Sequence, residues 1–206
     1  MSDKLQFVER HDKLKLIGHQ TDPLRRFFMD VTLRLAGPDD VPALENLIHE
    51  SVSVLSERFY TPAQISSALT NVFGVDTRLI SDGTYYIAEL DGQLAGSGGW
   101  SKRLTLFGGD RTKSAEPDRL LDPRTEAARI RAFYVHPQAA RRGIATAILQ
   151  ACESAARDAG FGKIELVATL PGEPLYLARG YVKVEPMQLP IPDGEPLPAF
   201  RMAKIL

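Results

Sequence analysis

The chain has 206 residues, enough for one ordinary domain that buries its own core without cross-links. Apolar residues make up 44% and charged residues 25%, a globular composition, and the net charge of -1 gives no overall basic surface for nucleic acid. No apolar run reaches the roughly 18 residues a membrane span needs, the charged opening "MSDKLQFVERHDKLKL" does not read as a secretory leader, and the single cysteine, Cys152, has no partner for a disulfide. The plain expectation is a cytoplasmic protein without a metal centre, nucleic-acid partner or membrane partner.

Residues 1–30 read as an N-terminal arm, with "TDPLRRFFMD" able to form a helical turn or two. The domain proper is expected over 31–206. Val31 to Leu35 alternate like a short strand. Asp39 or Asp40 can cap the helix that follows, with Pro42 in its first turn. Val41, Leu44, Leu47, Ile48 and Val52 recur there at helical spacing. In "TPAQISSALTNVFG", Thr61 caps a second helix, Gln64 completes a capping box and Gly74 stops it. "GTYYIAEL" and "QLAGSGGWS" read as strands joined by a two-residue turn at Asp91-Gly92. A polar stretch from about Lys102 to Glu126 reads as a long loop, a length that is often functional.

"AARIRAFYV" is the next strand. The helix after it turns Ala145, Ile148, Leu149, Cys152, Ala155, Ala156 and Ala159 to one side and ends at Gly160 with Phe161 behind. "KIELVATL" is a strand, "GEPLYLARG" a short helix, and "YVKVEPMQL" and "PAFRMAKIL" the last two strands. The order β-α-α-β-β-β-α-β-α-β-β predicts an α/β domain with a mixed sheet and a β-α-β crossover in its middle.

The junction "HPQAARRGIATAIL" concentrates the chemistry. A helix start presents N–H groups without intrahelical partners at the positive end of the helix dipole. Glycine lets an anion approach the backbone, and Arg141 and Arg142 add fork-shaped donors suited to phosphate. The stretch can hold a pyrophosphate on amides from about Arg141 to Thr146. A solvated turn, or an unrelated nucleotide-binding loop, explains the same residues. Cys152, on the apolar side of its helix, reads as an inert buried thiol.

The C-terminal half resembles the GCN5-related N-acetyltransferases (GNATs). "YVHP" matches the end of that family's central strand, "ARRGIA" (Ala140 to Ala145) its Gln/Arg-x-x-Gly-x-Gly/Ala loop, and "LYLARGY" (Leu175 to Tyr181) its short helix with a tyrosine before a Gly-aromatic pair. The resemblance covers roughly Val31 to Leu206 and is sharpest between Ala128 and Tyr181. Two positions depart from the pattern: Ala140 stands where Gln or Arg is usual, and Thr169 where an Asn is frequent.

The resemblance implies a mixed, mostly antiparallel sheet flanked by helices around a β-α-β acyl-CoA core. It implies acetyl-CoA as co-substrate, with its pyrophosphate on the amides of Arg141, Arg142, Gly143, Ile144 and Ala145, and Thr146 at the end of that run. The pantetheine arm would lie along Phe133, Tyr134 and Val135 where the sheet splays, paired by its amides. It implies an amine acceptor, small molecule or peptide, that attacks the thioester, with a backbone N–H near Val135 facing the developing oxyanion. Tyr176 would protonate the departing thiolate. Glu126 is the choice for the base, with His136, Glu57 and Tyr60 as further candidates. Trp100 and Arg103 are the candidates for holding the acceptor. A CoA-binding module without transfer chemistry remains the alternative, and a homodimer is compatible with the arm.

Overall fold

A computed structural model describes residues 31–112, 118–192 and 194–206, together with the backbone of 7–10 and 13–16. Nine strands form one sheet: β1 (Phe7–Arg10), β2 (Lys13–Leu16), β3 (Val31–Leu35), β4 (Tyr85–Leu90), β5 (Gln93–Ser101), β6 (Ala128–Val135), β7 (Lys163–Thr169), β8 (Val182–Leu189) and β9 (Leu197–Ile205). Their spatial order is β1-β2-β3-β4-β5-β6-β7-β9-β8. Val31 onward supplies seven strands, and the arm adds two at one edge, through pairing of Leu14 with Leu33. The segment "TDPLRRFFMD" lies outside the described residues. Only β6 and β7 run parallel. The connection that makes this possible is the crossover helix α4 (Ile144–Asp158).

The helices divide between the two faces of the sheet. On one lie α1 (Val41–Leu55), α2 (Pro62–Asn71) and α3 (Thr77–Ser81), packed over Tyr85, Ile87, Leu189 and Leu197. On the other lie α4 and α5 (Glu173–Ala178), packed over Leu33, Ala88, Trp100, Ile130 and Leu166. The apolar spacing expected for α1 holds, since Leu44, Leu47, Ile48 and Val52 are all buried. In α4 the buried side is Ile144, Ile148, Leu149, Cys152, Glu153 and Ala156. Ala159 lies beyond it, exposed at the helix end, which corrects one position of the expected stripe.

Local signals act largely where the residue types require. Gln64 N–H donates to Thr61 Oγ1 at 3.2 Å and Thr61 N–H to Gln64 Oε1 at 3.0 Å, the reciprocal capping box of α2. Asp91 and Gly92 both have positive φ, as the two-residue hairpin demands. Asp40 departs from expectation. It sits at the start of α1, but its carboxylate turns back to accept from Gly37 N–H and from both Nη atoms of Arg34. The unexpected element is α3, whose cap is Asp76 accepting from Arg78 N–H at 3.2 Å. The long 102–126 stretch is also more structured than a loop. Arg103 forms a bridge with Leu120, and Asp110–Thr112 makes a 3-10 turn.

Candidate active site

The junction between β6 and α4 has the geometry of an anion cradle. After β6 the chain makes a 3-10 turn, Pro137–Ala139, then passes through two left-handed residues, Arg141 with φ 64° and Gly143 with φ 84°. Gly143 is the N-cap of α4, and the first intrahelical bond runs from Ala147 N–H to the Gly143 carbonyl at 3.0 Å. The N–H groups of Ile144, Ala145 and Thr146 are therefore left without intrahelical acceptors. A Cβ built on Gly143 would meet nothing within 4 Å, so the space before these amides is open. Ile144 contributes its amide while its side chain, 1% exposed, anchors the helix in the core. Arg141, Arg142 and Gly143 are exposed, and Arg141 has no ionic partner among the described residues. Backbone donors and fixed positive charge arranged in this way suit a phosphorylated ligand.

Close approach sets this loop against the sheet. A Cβ on Gly96 of β5 would stand 2.7 Å from Ile144 Cγ2, and one on Gly98 would stand 2.5 Å from the Phe133 ring. The Gly-rich β5 thus lets both the helix start and Phe133 lie directly on it.

Beside the loop the sheet opens. β6 pairs with β7 only through Ala128 with Ile164 and Arg129 with Glu165. On its other side β6 stays paired with β5, but with a bulge: Ser97 faces Tyr134 and Gly99 faces Arg131, leaving Ala132 and Phe133 together opposite Gly98. Ala132 has φ 53°, and its carbonyl accepts from the buried Tyr85 hydroxyl at 3.2 Å. Tyr134 sends its ring to the α1–α3 face, edge-on to Phe73. Phe133 and Val135 pack toward α4. Val135 N–H points away from β5 and donates to Ser51 Oγ of α1 at 3.2 Å. That amide, expected to face an oxyanion, is engaged by Ser51.

Tyr176 approaches the gap from α5. Its ring lies edge-on to Phe133, centroids 6.4 Å apart, and to Tyr181 at 5.6 Å. The residue is 6% exposed, yet its hydroxyl is not fully covered and makes no hydrogen bond among the described residues. Burial, reinforced by Cys152 and Tyr134, pushes its pKa well up. The phenol is thus a proton donor throughout the neutral range.

Other expected residues do not join this group. Glu126 lies seven residues before Phe133, roughly 20 Å along an extended strand. Its carboxylate grips Arg119 at 2.7 and 2.8 Å and accepts from Asp122 N–H, and Arg119 holds it down at about 2. A carboxylate so acidic and so placed is not the base. Trp100 is core, 6% exposed and edge-on to Phe161 behind α4, because β5 is buried on both faces there. Arg103 is not free for an acceptor either. It is fixed on Asp82 at 2.6 and 2.8 Å and on the Asp118 carbonyl. His136 uses both ring nitrogens, accepting from Gln138 N–H and pairing with Glu50 at 2.7 Å. Tyr60 is buried, donating to the Pro198 carbonyl and accepting from Leu170 N–H, so it ties β7 to β9. Glu57 is exposed. Thr169 holds the turn into α5, its carbonyl accepting from Gly172 N–H. Cys152 is fully buried, and burial raises its thiol well above the usual range.

Sequence reasoning missed the cleft on the opposite face. A cavity of about 670 Å³ reaches β6 at Arg131, one residue from the bulge, and is walled by Val72, Leu106, Phe107 and Ile191. Arg131 is buried and paired with Asp76 at 2.7 Å, side-chain exposures 2% and 0%. An arginine alternating with Ile130 reads as part of a solvent face. Its burial is produced by residues 104–109 folding over it, where the Gly108 carbonyl accepts from Nη2.

These features define a class: an α/β domain with a split between two parallel strands, a helix start with open amides at the end of that split, and a second cleft that reaches the same strand. The chain matches the model of the acetyltransferase (GNAT) family over residues 50–181, and it belongs to that family. Solved structures agree on the fold. A GCN5-related N-acetyltransferase from Rhodopseudomonas palustris superposes with TM-score 0.63 at 21% identity, covering 88% of this chain and 99% of that one. PaiA N-acetyltransferase from Thermoplasma acidophilum, in complex with coenzyme A, gives 0.59 at 16%, covering 86% and 100%. Ribosomal-protein-alanine N-acetyltransferase from Brucella melitensis gives 0.56 at 18%, covering 84% and 99%. No curated protein matches the sequence. Among the described residues no helix is long and apolar enough to cross a membrane, and no His, Cys, Asp and Glu side chains gather to hold a metal ion.

Proposed function

We propose that the protein transfers the acetyl group of acetyl-CoA to an amine of a small molecule or peptide. The observation that carries this reading is the coincidence of three features at one place. β6 leaves β7 after Arg129, the open amides of Ile144, Ala145 and Thr146 stand at the end of that gap, and the unpartnered Tyr176 hydroxyl stands at its side. The residues present suit acetyl-CoA. The loop offers backbone donors and Arg141 to phosphates, the open edge of β6 from Phe133 to Val135, apart from the Val135 N–H held by Ser51, offers backbone groups to amides, and Phe133 with Tyr176 gives an apolar wall. When bound, acetyl-CoA supplies an activated thioester. The protein's contribution is to align the acyl carbon with the bulge, exclude water on the Phe133 side and hold the Tyr176 proton ready for the leaving sulfur. The amine arrives from the opposite cleft, and its proton passes to water there, since Glu126 and His136 are both engaged elsewhere.

Calorimetric titration with acetyl-CoA, with ATP as control, tests the first half of the reading. Saturable binding of acetyl-CoA with ATP much weaker is the expected result, and equal affinities would point to a general nucleotide loop. Thiol release on adding amines tests the second half. Tight binding with no release from any amine would favour a CoA-binding module.

A further inference from the structure

The cleft walled by residues 104–107 has a chemical signature that the transfer reaction leaves unused. Its lining is largely apolar, with Leu106, Phe107 and Ile191, but two guanidinium groups enter it, from Arg131 on β6 and Arg78 on α3. Arg131 spends Nη2 on Asp76 and on the Gly108 carbonyl. Its Nε is buried with no hydrogen-bond partner, and Nη1, on the edge that reaches the cleft, makes no hydrogen bond among the described residues. Arg78 is 37% exposed and faces Asp118 at 3.7 Å, beyond hydrogen-bond distance. By contrast Arg103, on the β5–β6 connection, is locked to Asp82 at 2.6 Å. Asp118, the one carboxylate in the lining, is occupied in accepting from Thr105 N–H at 2.9 Å, which holds the connection in place. The cleft therefore offers guanidinium donors that have spare hydrogen-bonding capacity although each faces a carboxylate, together with an apolar wall, and it reaches β6 one residue before Ala132.

Resting on the acetyl-transfer reading above, we infer that the acceptor is an amine carrying a carboxylate a few bonds away and an apolar side chain: an apolar α-amino acid. The carboxylate lies on Arg78 and Nη1 of Arg131, the side chain lies against Phe107 and Ile191, and the amine is left at the bulge. Arg131 and Arg78 act as specificity residues, since an acceptor that lacks the anion leaves their spare donors without a hydrogen bond in a largely apolar cleft.

The test compares leucine, leucinamide and 3-methylbutylamine as acceptors with acetyl-CoA, following thiol release. Leucinamide has the less basic amine, so more of it is neutral near neutral pH and chemistry alone favours it. The inference expects leucine to exceed leucinamide in kcat/KM by roughly tenfold or more, the size of one charge-assisted hydrogen bond. Arg78→Gln should bring that ratio toward one, chiefly through KM. Leucinamide equal to or better than leucine, or a ratio untouched by Arg78→Gln, overturns it. A second readout needs no turnover: with CoA present, N-acetyl-leucine should raise the melting temperature more than N-acetyl-leucinamide, and Arg78→Gln should remove the difference. No difference in the native protein overturns the inference even if acetyl-CoA binds. Failure of acetyl-CoA to bind in the calorimeter instead removes the transfer reading on which it rests.

Discussion

On the proposed reading Tyr176 and Gly143 carry opposite halves of the chemistry, and a single substitution at each separates them. Tyr176→Phe keeps the ring between Phe133 and Tyr181 and removes only the proton. It should lower kcat on the order of a hundredfold while leaving acetyl-CoA affinity in the calorimeter unchanged. Because burial raises the Tyr176 pKa, the donor persists above the usual tyrosine range, and the native kcat should show no alkaline fall from its ionisation below about pH 10. Gly143→Glu acts on the other half. Its side chain meets nothing, so the fold loses only the left-handed strain of roughly 1–2 kcal/mol, readable as a modest drop in melting temperature. Acetyl-CoA binding should nevertheless vanish, because a carboxylate then occupies the phosphate position. Glu126 is a stabilising residue by this account. Its folded pKa is depressed to about 2, so its pairing with Arg119 is fully present above the ordinary carboxylate range and is lost only as pH falls toward 2. Glu126→Gln should leave the acid limb of the pH–rate profile in place.

Among the elements, β5 is the one on which the site depends most and which its own sequence describes least. "LAGSGGWS" offers no polar–apolar contrast, so the period that assigns faces elsewhere is silent there, and Trp100 could be read as a pocket wall although it is core. What β5 supplies is room. Gly98→Ala would drive a methyl group into the Phe133 ring, and it should cost about 1–3 kcal/mol in chemical denaturation while also weakening acetyl-CoA binding. Elements with local chemistry were readable. The capping box of α2, the hairpin turn and the Gly160 end of α4 each depend on residues a few positions apart. α3 escaped because five residues cannot show a helical period, although Asp76 ahead of Thr77 was a usable cap signal. The open helix start at Gly143 was readable for the same reason as the caps: three adjacent amides, two arginines and a glycine are a local pattern.

The cleft at Arg131 was not readable because nothing in it is local. It brings together α2, α3, β6, residues 104–112, Asp118 and the residues after β8, and its central group is a buried ion pair spanning 55 positions. Asp76 is wholly buried, so Arg131→Met strands a charge and should cost about 3–5 kcal/mol by denaturant titration. Adding Asp76→Asn should recover part of the loss. The β5–β6 connection itself is fastened through Arg103 to Asp82 and through Asp110, whose carboxylate accepts from Thr77 N–H and Oγ1. One wall of the cleft is thus pinned to the same short helix that supplies Arg78.

The narrow seam between β6 and β7 has a consequence for the molecule as a mechanical object. Two pairs of residues are all that joins the strands numbered before the crossover helix to those after it within the sheet, and the remaining connection is helix packing on the two faces, α4 on one and α1 and α2 with Tyr60 on the other. A donor lying in the gap with its amides against β6 replaces the missing rungs. Amide hydrogens on the open edge should therefore exchange fast in the free protein and slowly in the complex, and the two blades of the sheet should soften independently only when the gap is empty. On the proposed reading the donor is a girder as well as a reactant, and each turnover ends by removing part of the frame that aligned it.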